Sequence, residues 1–200
     1  MRLLPAAAVL TIGCTGSIDS IDPMTADPPT GDSPDAAPGA LPGEGAVARA
    51  REWVDAKLHY CQAPNHQHDN DSDCPSTCVR QDNPNWDPYR SDCSGLVSWA
   101  WALPPPGRTT GTFAPFDTSI THVIPSLELR AGDALNNDHH IMLFVAWNDD
   151  GTAQLIDEPG CSSSTPYAKE FKATITPSMT EAVDVKYYGA YTAIRYDAAP

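Results

Sequence analysis

Three consecutive prolines, Pro104 to Pro106, divide this chain into two kinds of hydrophobic pattern. Proline removes an amide donor and clashes with the preceding turn, so no helix runs through them. Before them, Val47, Ala50, Val54 and Leu58 recur at helical spacing with Trp53 adding bulk, which predicts a helix over 46–60. Ser91 or Asp92 can cap a second helix that buries Leu96, Val97, Ala100 and Trp101 and ends at the prolines. After them come short apolar runs bounded by turn residues, over 141–147, 153–156 and 188–196, which read as strands. Between the first two, Asn148-Asp149-Asp150-Gly151 suits a tight hairpin, because an Asp-Gly pair readily takes positive φ. The expected class is α+β, with N-terminal helices packed on an antiparallel sheet.

Not all 200 residues can join such a domain. From Thr15 to Ala48 there is no Lys or Arg, and Pro, Gly, Asp, Ser and Ala dominate. That composition buries too little apolar surface to offset chain entropy, so 14–45 is expected to be a disordered, extended tether and 46–200 the folded domain. Ahead of it, Arg2, the apolar run Leu3 to Ile12 and Gly13 read as a signal peptide over 1–13, the run being far short of the roughly 20 residues of a membrane span. Leu10-Thr11-Ile12-Gly13-Cys14 resembles a bacterial lipobox, with Leu displaced by one position. The expectation is an exported protein of the cell envelope, anchored to a membrane through lipid on Cys14.

Twelve basic side chains against 26 acidic ones leave a net charge of -14, which excludes a protein that binds nucleic acid by neutralising phosphates. With Cys14 set aside, five cysteines remain: Cys61, Cys74, Cys78, Cys93 and Cys161. An odd number in an oxidising compartment is accounted for by one free thiol, Cys93, and two disulfides among Cys61, Cys74, Cys78 and Cys161, in any of three pairings.

Cys93 falls in the first turn of the second helix, where unpaired amides and the positive end of the helix dipole favour negative sulfur. The same amides, from Ser91 to Leu96, can hold a developing oxyanion, and Gly95 is expected to leave room for substrate. A thiolate needs an imidazole to take its proton. His140 stands at the start of the strand 141–147, a rigid platform, with His139 the competing candidate; alternation turns the two to opposite faces, and the pattern favours His140. The competing, purely structural reading makes Cys93 a small buried residue and His140 a hydrogen-bonded core residue.

Two metal readings fail on spacing. Asp69, Asp71 and Asp73 begin like a calcium loop, but the sixth and twelfth positions are Cys74 and Arg80 where Gly and Glu are needed. His66, His68, Cys74 and Cys78 match no structural zinc set, so no metal or other cofactor is expected.

Asp92-Cys93-Ser94-Gly95-Leu96-Val97 resembles the nucleophile motif of NlpC-type, papain-like cysteine peptidases of the cell wall. Leu129-Arg130-Ala131-Gly132-Asp133-Ala134 resembles their Pro-Gly-Asp turn with Ala131 for proline, and His140-Ile141-Met142-Leu143-Phe144 their histidine strand with Met142 for glycine. The likeness covers roughly 46–196. It implies a papain-like domain, a Cys93–His140 pair, and a third catalytic residue on the next strand, Asp157 or else Glu158. It also implies that Tyr60, Asp92 and Ser94 line the substrate site, although Cys61 replaces the glycine usual after the tyrosine. The implied substrate is the peptidoglycan stem peptide, cut through an acyl-enzyme. Two alternatives stay open: an N-acetylmuramoyl-alanine amidase of the CHAP type, and a noncatalytic lipoprotein that binds wall peptide.

Overall fold

A computed structural model describes residues 43–64, 83–160 and 163–197. The expected signal peptide, Cys14, the tether, the Asp69–Asp73 run, His66, His68, Cys74, Cys78 and Cys161 lie outside the described residues.

Helix α1 runs over Glu44–Ala56 and α2 over Cys93–Ala100. Helix α1 stops four residues before the expected end because Lys57 turns left-handed, at φ 49°, and its amide closes onto the Trp53 and Val54 carbonyls. The short strands β1, Cys61–Pro64, and β2, Arg90–Ser91, pair between the two helices. The expected block of N-terminal helices is therefore corrected: α2 follows this ribbon, since the polar cysteine-bearing stretch begins and ends in extended backbone.

The main sheet comprises β3 Thr121–Val123, β4 Ala134–Asn136, β5 Ile141–Trp147, β6 Ala153–Asp157, β7 Lys169–Ala173, β8 Ala182–Val185 and β9 Gly189–Tyr196. All pairings are antiparallel, in the order β3-β9-β4-β5-β6-β7, with β8 also on β9. The domain is α+β with a mostly antiparallel sheet, and the hairpin expected between β5 and β6 turns at Gly151 with φ 78°. A bridge between Ile175 and Val185, and a bond from the Lys186 amide to the Thr174 carbonyl, bring the β7 edge round to β8, so the sheet curls back on itself.

Strand alternation then separates two cores. Ile141, Leu143, Val145 and Ile156 face the helices and pack with Trp53, Leu96, Val97 and Trp101. Leu135, Met142, Phe144, Leu155, Val183, Val185 and Ala193 fill the inside of the curl. Each fully buried aliphatic side chain contributes about 2 kcal/mol, so both cores stabilise the rim on which β5 begins and β6 ends. Across the helix layer, Trp53 stacks on Trp99 at 6.3 Å, and the Arg49 guanidinium lies 3.7 Å over the same Trp99 ring. Helix α2 is thereby fixed against α1 as well as against the sheet.

Candidate active site

The start of α2 is set by its own residues. Asp92, in extended backbone, accepts from the Gly95 amide at 2.6 Å and from Ser94 Oγ at 2.9 Å on one oxygen, and pairs with Arg90 Nε at 3.1 Å on the other. Asp92 and Ser94 are thus committed to the cap. Gly95 is required by close packing: a Cβ there would stand 1.8 Å from the Arg90 carbonyl oxygen, so the missing side chain admits backbone and not substrate. With the Gly95 and Leu96 amides bound to Asp92, the first-turn amides that helix geometry leaves without an intrahelical partner reduce to those of Cys93 and Ser94.

Cys93 is a free thiol, 7% exposed, and Cys61 is disulfide-bonded. Cys61 pairs with Ser91 across the β1–β2 ribbon, so Tyr60, at the entry to β1, lies on the approach to α2, where its hydroxyl accepts from Gln62.

His140 and Asp157 meet where β5 begins and β6 ends. His140 Nε2 lies 2.7 Å from Asp157 Oδ1, with side-chain exposures of 21% and 1%. The contact is an ion pair without the alignment of a hydrogen bond, because both Asp157 oxygens are buried with no aligned donor. The Cys93 side chain hydrogen-bonds the ring, and with Nε2 on Asp157 the nitrogen left for it is Nδ1. Burial alone lowers the pKa of His140, but the Asp157 and Cys93 side chains beside it reverse this and raise it to about 10. At neutral pH the ring is therefore an imidazolium between the Asp157 and Cys93 side chains. His139, by contrast, has a side chain 86% exposed, and its ring pairs with the neighbouring Asp138.

No family model matches the chain, and neither does any curated protein or solved structure. What the site can do follows from its own atoms.

Two residues absent from the sequence reading hold the histidine. Asn137 Oδ1 accepts the amides of His139 and His140 at 2.9 and 2.8 Å, and Asn137 Nδ2 donates to the Ala190 carbonyl at 3.1 Å. An asparagine two or three residues before a strand is the sequence signal of such a turn. Tyr191 sets its ring edge-on to His140 at 6.4 Å, and burial, followed by the charges of Asp157 and Cys93, raises its pKa and keeps the phenol neutral. Nothing local in the sequence marks Tyr191, since β9 comes beside His140 only by pairing with β4, which pairs in turn with β5.

Glu158 is also present, fully buried one residue beyond Asp157. Burial first, then the charges of Asp157, Cys93 and Asp92, push its pKa well above the ordinary carboxyl value, with Lys169 opposing. Among the described residues no group of three His, Cys, Asp or Glu side chains could hold a metal ion, and no helix is long and apolar enough to cross a membrane.

Proposed function

We propose that this chain is a cysteine hydrolase of the NlpC type that cuts an amide bond in the peptide stem of peptidoglycan. The observation that carries the reading is one free thiol at a helix start, beside a histidine held as imidazolium by a buried aspartate.

The chemistry balances with these residues alone. The Cys93 thiolate attacks the amide carbonyl, forming a carbon–sulfur bond, and the oxyanion faces the free amides at the α2 start. His140 gives its proton to the leaving nitrogen as the carbon–nitrogen bond breaks. Water then attacks the acyl-enzyme, His140 takes its proton, and the sulfur leaves. Asp157 keeps the ring oriented with Nδ1 toward Cys93 and stabilises its charge. Tyr60 lines the approach. The stem-peptide substrate, the bond after D-glutamate, and delivery from a lipid-anchored tether rest on the resemblance of the motifs around Cys93 and His140 and on the pattern of residues 1–45.

Digestion of murein, with mass analysis of the products, tests this for the wild type, Cys93→Ala and His140→Ala. Stem-peptide fragments lost in both variants support the peptidase. Products cut between sugar and peptide support the amidase instead. The low exposure of Cys93 favours one further reading, a noncatalytic wall-binding lipoprotein, which absent products and a Cys93 inert to alkylation at neutral pH would support.

A further inference from the structure

In the reaction just described, His140 parts with its proton while the acyl-enzyme stands. For that interval Asp157 is a buried carboxylate facing a neutral ring, with no aligned donor on either oxygen. A buried charge without its cation is strongly disfavoured, so the interval calls for a second cation. Lys169 is placed to be one. It opens β7 directly opposite Asp157 in the antiparallel register, as Phe171 stands opposite Leu155, so the Lys169 and Asp157 side chains share one face of the sheet. Their Cβ atoms are then about 5 Å apart, within the span of a flexible four-carbon stem. His140 reaches Asp157 from the β5 side of β6, and Lys169 flanks it from the β7 side. No carboxylate among the described residues pairs with the Lys169 ammonium. It rests 5.6 Å from the centroid of the Phe171 ring, which is itself stacked on Tyr188 at 5.3 Å. A cation over a partly exposed ring is weakly held and free to leave. Neighbouring cations are engaged elsewhere: Arg90 with Asp92, Arg51 with Glu170, and Lys172 with Asp150. The Lys169 charge also opposes the burial that raises the pKa of Glu158, so its field already reaches the end of β6.

We propose that Lys169 is a positioning residue that serves Asp157 as a reserve cation: parked on Phe171 while His140 is an imidazolium, its ammonium swings to the Asp157 carboxylate once His140 has protonated the leaving nitrogen. No proton changes hands in the swing. A cation–π contact is broken, and a charge-assisted hydrogen bond forms to an oxygen that has no donor at rest. When water attacks the acyl-enzyme and His140 takes its proton, the imidazolium again faces Asp157. Two cations at one carboxylate repel each other, so the ammonium returns to the ring. Asp157 thus stays ionised through the whole cycle and keeps His140 oriented. This rests on reading Cys93 and His140 as the reacting pair.

A double-mutant cycle on the full chain tests the pairing without any substrate. Lys169→Met keeps a long stem and removes the charge, and His140→Gln removes the resting cation of Asp157. At neutral pH Lys169→Met should move the melting temperature little in the wild type, where His140 holds Asp157. In the His140→Gln background, where Lys169 is the cation left, it should lower it by about 3 °C or more. Equal shifts in the two backgrounds overturn the inference. Soluble stem-peptide fragments of murein then test the role in turnover. Lys169→Met should lower kcat about tenfold with KM kept within about twofold, because the interaction forms only after substrate is bound, and Lys169→Arg should retain most of the wild-type kcat. A merely structural residue would lose kcat alike in the Met and Arg variants, and that result overturns the inference. So does a raised KM with kcat kept, which would make Lys169 a substrate contact. If the wild type cuts no fragment, the hydrolase reading falls and takes the reserve cation with it. Digestion that proceeds while the melts are additive sinks the reserve cation alone and leaves the hydrolase standing.

Discussion

Two buried aspartates in this domain, Asp133 and Asp157, are equally hidden from water and differently furnished. Asp133 accepts from Arg195 Nε and Nη2, both at 2.8 Å, and from the Arg130 amide at 2.8 Å, so the carboxylate is closed by aligned donors from two elements. Arg195 goes on to the Glu128 carbonyl at 2.9 Å, locking the turn before β4 onto β9. Among the described residues Asp157 pairs with His140, in a contact that leaves both its oxygens without an aligned donor. A guanidinium stays charged at any physiological pH, whereas an imidazolium can give its proton away. The satisfied carboxylate holds the fold together, and the under-satisfied one, on the proposed reading, leaves His140 a proton it can give up.

The comparison breaks most sharply at the cations. Replacing His140 by Ala removes the proton carrier, so hydrolysis and Cys93 alkylation at neutral pH should fall at least about a thousandfold, and it leaves the Asp157 charge buried without its cation, so the melting temperature should fall as well. Murein digestion and thermal melts on one preparation read both. Arg195→Ala should cost about 3 kcal/mol of unfolding free energy, because the Asp133 charge is left buried without its cation, while Cys93 alkylation in the folded protein stays near the wild-type rate. Denaturant titration measures this. If Arg195→Ala melted like the wild type, the turn at Asp133 would not be the clamp it is taken for.

Much of this architecture is legible in the residues. The proline break and helical spacing give both helices, and apolar runs give β5 and β6, because a strand buried on both faces needs continuous hydrophobicity; β9, only partly buried, is read from its alternating Tyr191, Ala193 and its neighbour Ile194. Strands β7 and β8 escape: Lys169–Ala173 carries Lys and Glu beside Phe171, and Ala182–Val185 is only four residues with one acidic position, patterns set by the partially open edge they form. The early end of α1 escapes as well, since Lys57 takes a left-handed turn that usually signals itself with glycine. At the site, Cys93 and His140 are named by the helix start and the strand start. The choice between Asp157 and Glu158 is not, because it depends on how β6 ends against the turn before β5. Gly95 is misread for a related reason: a sequence shows a missing side chain but not the Arg90 carbonyl that fills its space.

A smaller change sharpens the contrast between the two aspartates. Asp157→Asn keeps the shape and removes the charge, and should lower turnover about a hundredfold by loosening the ring and its proton. It should also narrow a pH window. His140 has a folded-state pKa raised to about 10 against the ordinary value near 6.5, so its contribution to stability is complete below about pH 6.5 and is lost as pH rises toward 10. Thermal melts between pH 6 and 10 should show the wild type losing stability across that span and Asp157→Asn losing less of it. No equivalent slope should come from the Asp133–Arg195 pair, whose guanidinium keeps its charge throughout that span.

The smallest expected effect lies at Asp92, and it decides what that residue is for. If Asp92 serves only as the cap of α2, then Asp92→Ala should cost about 1 kcal/mol of stability and blunt Cys93 alkylation by disordering the first turn. Asp92→Asn should restore most of both, since an amide oxygen can still accept from Gly95 and Ser94. A substrate-binding carboxylate behaves differently: its charge would be needed, so Asp92→Asn would raise KM for murein fragments while alkylation of Cys93 stayed near the wild-type rate. Because Asp92 already bonds the Gly95 amide, Ser94 and Arg90, the cap role is the outcome expected, and the separation of alkylation from KM in the Asn variant is the result that would reverse it.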